Sequence, residues 1–349
     1  MKAHRSLMAS FASRAFRAGL ATAVGTLATL AGPALTLGLV PMAASAQGAS
    51  AYPARPVRFI LPYAPGGAAE TVTRLVAEQL SASLKQPFLI ENRPGGGTVI
   101  GAMATVQAPA DGHTVFVNAS SYLINAHLMR ALPYDTWTDL VPISLAAENP
   151  HVLVASNGTG WRTWADFIGV ARSRGSAYSY ASFGNGSSGH LAFEMLKRTY
   201  GFDMVHVPYK STPQAMTDVM GGAVHAMLTD MPAAVQQVRA GRIMALAIAA
   251  EQRSGMLPEV PTFAEASSGT RFVSRSWWGF MVRNGTPAEI AHTLETEIGR
   301  ALHRPEVRSR LADLGITAIG SSAAEFATFM RTEHARFGEA IRVSGATLD

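Results

Sequence analysis

From residue 57 onward the chain alternates short apolar, β-branched runs with segments of helical period, which restricts it to a layered α/β architecture. Val57-Arg58-Phe59-Ile60-Leu61 reads as a buried strand, and between Thr71 and Leu84 the residues Val72, Leu75, Val76 and Leu80 share one helical face. A second strand at Pro87–Ile90, a short helix at Thr98–Val106 and a third strand at Thr114–Asn118 complete a βαβαβ unit. Such a unit implies parallel strands covered by helices on both faces. After an extended stretch from Pro142 to Ser156, a second series has helices near Trp164–Arg174, Gly189–Tyr200, Pro213–Gly221 and Ala233–Ala240. Its strands are near Tyr178–Ala181, Met204–His206, Ala223–Leu228 and Ile243–Ala249. Loops around Leu257-Pro258 and Ser268-Gly269 lead to a strand at Gly279–Val282 and helical segments near Pro287–Leu302, Glu306–Leu314 and Ala323–Val343. Two α/β series joined by long extended segments predict two lobes, 47–150 with 263–349 and 151–262, and a ligand cleft between them.

The first 46 residues differ from the rest. Lys2, Arg5, Arg14 and Arg17 precede an apolar run from about Ala18 to Ala43, which ends in Ala44-Ser45-Ala46. A basic start, an apolar middle and a small-x-small end describe a cleaved secretory signal peptide, with cleavage expected before Gln47. This leader matters for the charge balance. The whole chain of 349 residues carries a formal +5, which by itself suggests an anionic macromolecular partner. Without the leader, 25 basic residues face 24 acidic ones, and no basic run or aromatic-rich basic ribbon remains. Nucleic-acid binding is therefore not expected. With 48% apolar and 15% charged residues the chain is globular, and with no cysteine it has neither disulfides, a thiolate-ligated metal nor a cysteine nucleophile.

Three loops between strand and helix and one segment at a strand's end carry the candidate chemistry. Pro62 to Glu70 has two glycines before a helix start, where free N–H groups attract an anion; it is neither a dinucleotide fingerprint nor a Walker loop. Its ordinary reading is a turn with Glu70 favoured in the first helical turn. Asn92 to Thr98 is a second such loop, in which Thr98 either caps the following helix, the ordinary reading, or donates to a ligand. Asn118 to Ser121 ends the third strand with two hydroxyls. Ala181 to His190 is dense in Ser, Asn and Gly before a helix, and Ser187 or Ser188 is either the N-cap or a ligand contact. Two such helix starts from opposite lobes would grip a carboxylate. Enzyme signatures are missing: there is no G-x-S-x-G elbow and no H-E-x-x-H. His190 and Glu194 share a helix face and read as a structural pair, not a metal site. Trp277-Trp278 is expected to divide into one core and one surface residue, with either able to border a ligand.

These loops and a series of short motifs resemble the periplasmic solute-binding proteins of tripartite tricarboxylate transporters, the TctC-like or Bug receptors. The similar elements include Pro65-Gly66-Gly67, Glu91-Asn92-Arg93-Pro94-Gly95, Ala110-Asp111-Gly112-His113-Thr114 and Leu132-Pro133-Tyr134-Asp135. They continue through Gly184-Asn185-Gly186-Ser187, His206-Val207-Pro208-Tyr209-Lys210, Leu257-Pro258-Glu259-Val260-Pro261-Thr262 and Gly285-Thr286-Pro287. The resemblance spans nearly all of the mature chain. It implies a two-lobed type II periplasmic binding fold that closes on a small carboxylate and delivers it to membrane transporter subunits. A monomeric periplasmic receptor without cofactor, metal or catalytic residues is then expected. The implied pocket residues are Ala68, Ala69 and Glu70; Ser120 and Ser121; Ser182, Ser187, Ser188 and His190; and Asp230. One departure stands out: where the family usually has a hydroxyl residue followed by Asp, this chain has Ala69-Glu70. The alternatives are an exported hydrolase using a serine of the 182–188 loop and a receptor for a signalling partner.

Overall fold

The computed structural model describes residues 52–344, so the expected leader lies outside the described residues. The first series is β1 (Val57–Leu61), α1 (Ala68–Leu84), β2 (Phe88–Asn92), α2 (Val99–Val106), β3 (Thr114–Ala119), α3 (Ser120–Leu128) and β4 (Leu140–Ser156). The second is α4 (Trp164–Arg174), β5 (Ser179–Ser182), α5 (Ser188–Tyr200), β6 (Val205–Pro208), α6 (Thr212–Gly221), β7 (Ala226–Asp230), α7 (Met231–Arg239) and β8 (Ile243–Ile248). The chain then forms α8 (Phe263–Ala266), β9 (Arg275–Arg283), α9 (Ala288–His303), α10 (Pro305–Ala312), β10 (Thr317–Ala318) and α11 (Ala323–Ser344).

The strands join in the order β2-β1-β3-β9-β4-β7-β5-β6, with β8 and β10 also paired to β4. β1 is parallel to β2 and β3, and β5 is parallel to β6 and β7, as the alternating pattern predicts. Antiparallel pairing enters at β9, which lies between β3 and β4, and continues at β4, which is antiparallel to β7, β8 and β10 as well. β9 is longer than the expected Gly279–Val282 strand because its first residues pair with the far part of β4.

β4 is the strand that serves both halves. Leu140 to Pro150 pairs with β9, and His151 to Ala155 pairs with β7. Pro142 and Pro150 cannot donate to a ladder. Pro142 lies at a register shift, and Pro150 is the last residue paired with β9. The partner change therefore falls where a proline already interrupts donation, and it sets His151 at the junction of the halves.

Each half is covered on both faces. One apolar cluster unites Phe59, Val72, Leu80, Trp278 and Ile298; another, across the same strands, unites Phe116, Tyr122, Trp277, Phe326 and Phe337. In the second half Phe167, Tyr180 and Phe193 pack on one face, and Met216, Met227 and Met231 on the other. Trp277 and Trp278 alternate across β9 and enter different clusters, so both are buried, at 0% and 4% exposure. The expectation of one surface tryptophan fails because helices cover both faces of this strand. The segment expected as a loop after β3 is also corrected: α3 starts directly at Ser120.

Candidate functional site

The carboxyl ends of β1, β3 and β7 converge where His151 marks the change of partner. After β1 the chain turns through Gly66, whose φ of +98° suits only glycine, and enters α1. The N-cap of α1 is Gly67, which has no side chain to offer, so the N–H groups of Ala68 and Ala69 stay open while that of Glu70 donates to the Gly67 carbonyl. Ala68 and Ala69 bring that turn to a cavity of about 470 Å³, including its mouth. Glu70 folds back over the turn: Oε2 accepts the Gly66 N–H at 2.7 Å, and Oε1 pairs with Arg74. The first-turn placement expected for Glu70 is thus observed, and its charge is spoken for.

α3 repeats the arrangement. Its N-cap, Ala119, has no capping side chain, and Ser120 follows with its Oγ buried and without a hydrogen-bond partner. Ser121 turns to the Tyr63 hydroxyl at 3.2 Å. Burial pushes the Tyr63 pKa up to about 12, so its proton stays on.

α5 separates its two candidate serines. Ser187 is the N-cap, its Oγ accepting the His190 N–H at 3.3 Å. Ser188 points to the cavity, with Oγ 3.0 Å from Ser276 Oγ and 3.3 Å from His151 Nε2. Ser182 and His190 stand behind this loop. Ser182 Oγ donates to the Gly184 carbonyl at 3.1 Å and meets His206 Nε2 at 2.7 Å. His190 Nδ1 accepts the Gly186 N–H, and its ring stacks on His206 at 4.1 Å. Glu194 bonds Tyr180 and Lys197, so its structural partners are these and not His190, the partner expected from helical spacing.

The ten candidate residues therefore fall into three groups. Ala68, Ala69, Glu70, Ser120, Ser188 and Asp230 line the cavity. Ser121 and Ser187 face an adjoining space of about 1350 Å³ that shares Tyr63 and Phe183 with the first. Ser182 and His190 line neither and shape the loop from behind. Thr98 faces the adjoining space but does not cap α2: its φ of 88° and ψ of −9° differ from the extended backbone that capping needs. Sequence reasoning missed Ser276 and Thr212, which line the cavity, and His151 behind them. Trp277 and Trp278 also border it.

Asp230 ends β7. It is buried, its Oδ1 has no hydrogen-bond partner, and it does not cap α7. Burial pushes its pKa up to about 6, with Ser276 and Asn149 beside it pulling the other way. His151 Nε2 lies 3.9 Å away, but this is not an ion pair: complete burial pushes the His151 pKa down to about 3, helped by Arg336, so the ring is neutral. No lysine or arginine lines the cavity. Among the described residues no group of three or more His, Asp or Glu side chains is placed to hold a metal, and no helix is long and apolar enough to cross a membrane.

Residues 72–346 match the family described as tripartite tricarboxylate transporter family receptor. Protein BugT of Bordetella pertussis is 34% identical over 302 residues, 86% of this chain and 92% of its own length. The structure of Rpa4515 of R. palustris with adipate superposes with a TM-score of 0.82 at 30% identity, over 85% of this chain and all of that one. MatC from Rhodopseudomonas palustris with bound malate gives 0.78 at 30%, over 83% and 100%. The fold is the two-lobed α/β fold of periplasmic binding proteins. The chain belongs to the receptors of the tripartite tricarboxylate transporter family.

Proposed function

We propose that this chain is a periplasmic receptor that captures a small carboxylate between residues of its two lobes, 47–150 with 263–349 and 151–262, and delivers it to the membrane subunits of a tripartite tricarboxylate-type transporter. It acts as a monomer and turns nothing over. One observation carries the reading: the open amides of α1 and α3 meet at a cavity that holds the unpartnered Ser120 Oγ and Asp230 Oδ1. A buried polar group without a partner costs roughly 1–3 kcal/mol, which a bound ligand recovers. Family membership and the adipate and malate of two structural neighbours support an organic acid as that ligand. In this reading Ala68, Ala69, Ser120 and Ser188 hold carboxylate oxygens directly, and Ser121, Ser187, Ser182 and His190 fix the surrounding loops. Replacing the usual hydroxyl by Ala69 removes one donor, and Glu70 narrows the entrance.

The hydrolase alternative has one observation in its favour, the Ser188–His151 contact. The geometry opposes it. In a serine triad the acid orients the other ring nitrogen, but Asp230 and Ser188 both face Nε2, while Nδ1 meets Ser274 Oγ at 2.8 Å. A histidine with a pKa of about 3 is also a poor base at neutral pH.

A thermal-shift screen over small mono- and dicarboxylates tests the receptor reading. An acid present at a hundred times its dissociation constant is expected to add about 2.7 kcal/mol of stability, a shift of several degrees. If no acid shifts the transition, the reading falls. The serines separate next. Ser188→Ala is expected to weaken the best acid about tenfold or more in calorimetry, through loss of a hydrogen bond to a charged group. Ser187→Ala is expected to lower stability by about 1 kcal/mol as a lost cap, with affinity changed far less. The reverse pattern would exchange the roles assigned to the two serines.

A further inference from the structure

Resting on the receptor reading, we infer that the carboxylate ligand enters this cavity together with one proton, which Asp230 takes from solvent and then donates in a hydrogen bond to a ligand oxygen. The cavity contains two acidic side chains and no cationic one. Glu70 is compensated by Arg74 and the Gly66 amide. Asp230 has no such compensation. From β4 it is faced by neutral His151 and by Asn149; from β9 by Ser276; from the loop after β1 by Tyr63, which keeps its proton. Across the same cavity lie Ser188 of α5, Thr212 of α6 and Glu70 of α1. Arg336 of α11 acts on His151 and is itself bound to Glu333. The start of α7 favours an anion, but Asp230 makes no side-chain cap bond there.

A second negative charge brought into this buried space would meet an uncompensated Asp230 carboxylate. Two carboxylates that share a desolvated site keep one proton between them. Protonation removes the repulsion and turns an unpartnered acceptor, Oδ1, into half of a carboxyl group able to donate. Because burial already raises the Asp230 pKa to about 6, uptake near neutral pH needs only a modest further rise. The sign follows by linkage: between the Asp230 pKa of the free protein and its higher value in the complex, the complex holds more protons, so affinity falls as pH rises, by up to tenfold per unit. Below about pH 6 this dependence is lost because both states are protonated.

Calorimetry with malate and with adipate at pH 7.5, in buffers of different ionisation enthalpy, reads the proton directly. The wild-type protein is expected to take up between about half and one proton per ligand, and to bind progressively less tightly from pH 6.5 to pH 8.5. Asp230→Asn is expected to bind with no uptake and a flat pH profile, since the amide donates without titrating. A carboxyl stretching band that appears in the wild-type infrared spectrum only with ligand supports the same assignment without any variant. Binding with no uptake and a flat profile in the wild type overturns the inference alone, as does uptake retained in Asp230→Asn. If neither these acids nor any other in the thermal-shift screen binds, the receptor reading falls and this inference falls with it.

Discussion

Acidification from pH 7 to pH 4 is expected to remove a few kcal/mol of folding stability from the free protein, with His151 as the largest contributor. Its folded pKa is about 3, against 6.5 for the free side chain. Below pH 6.5 the unfolded chain binds a proton that the folded chain refuses, so stability is full above pH 6.5 and is lost progressively as pH falls toward 3. At about 1.36 kcal/mol per unit the whole span amounts to roughly 5 kcal/mol. His206 acts in the same direction, its pKa also pushed down to about 3 by burial and by His190 and Lys197. It is less deeply buried, so its contribution is smaller. Asp230 opposes them: its folded pKa of about 6 lies above the free value of 3.8, so the folded state gains stability as pH falls through that window. That gain, about 3 kcal/mol at the same rate per unit, offsets part of the histidine loss but not both histidines. Against a total of about 5–15 kcal/mol for a folded domain the net effect is large. Urea unfolding at successive pH values measures it. His151→Asn is expected to flatten the profile, and Asp230→Asn to steepen it. A wild-type protein equally stable at pH 7 and pH 4 would contradict the assignment.

What the chain discloses in one dimension is its local order. The boundaries of α4 match the sequence reading because a Thr163–Asp166 capping box starts it and its apolar period is clear. The strand–loop–helix units of β1 and β7 are also legible, whereas the helix after β3 is not, and six of the ten candidate residues reach the cavity because loops after parallel strands must open there. The residues missed belong to crossings. His151 sits in an extended run directly after Glu148, Asn149 and Pro150, where one more polar residue gives no periodic signal. Ser276 comes from β9, more than a hundred residues later, and meets His151 only because β9 inserts antiparallel between β3 and β4. The two tryptophans mislead for a related reason: alternation predicts opposite faces, but only the tertiary structure reveals that both are covered. Ser187 and Ser188 stay undivided in sequence, since adjacent serines before a helix have equal capping chemistry. The backbone turn at Gly186, with φ of +68°, decides which one faces the amides.

Gly189→Ala is expected to lower both stability and ligand affinity, against the usual preference of helices for alanine. In an open helical position Ala is favoured over Gly by about 1 kcal/mol. Gly169 of α4 is such a position, with no atom within 4 Å of an added Cβ, so Gly169→Ala is expected to stabilise by that amount and serves as the control. At Gly189 an added Cβ would stand 2.6 Å from the Phe183 ring and 2.8 Å from the Leu228 carbonyl oxygen. Phe183 can swing away; the carbonyl belongs to β7 and cannot. The start of α5 must therefore move off the strand, and overpacking of this kind costs about 1–3 kcal/mol, enough to reverse the helical gain. Both responses damage the site, since Phe183 and Ser188 line the cavity and Leu228 lies two residues before Asp230. Affinity for the best acid is expected to fall at least tenfold. Adding Phe183→Ala to Gly189→Ala separates the two clashes in a double-mutant cycle: the ring's share disappears and the carbonyl's share remains, so the pair is expected to be less than additive in urea unfolding. Strict additivity would mean that the Phe183 ring takes no part, and a stabilising Gly189→Ala would mean that α5 does not press on β7 at all.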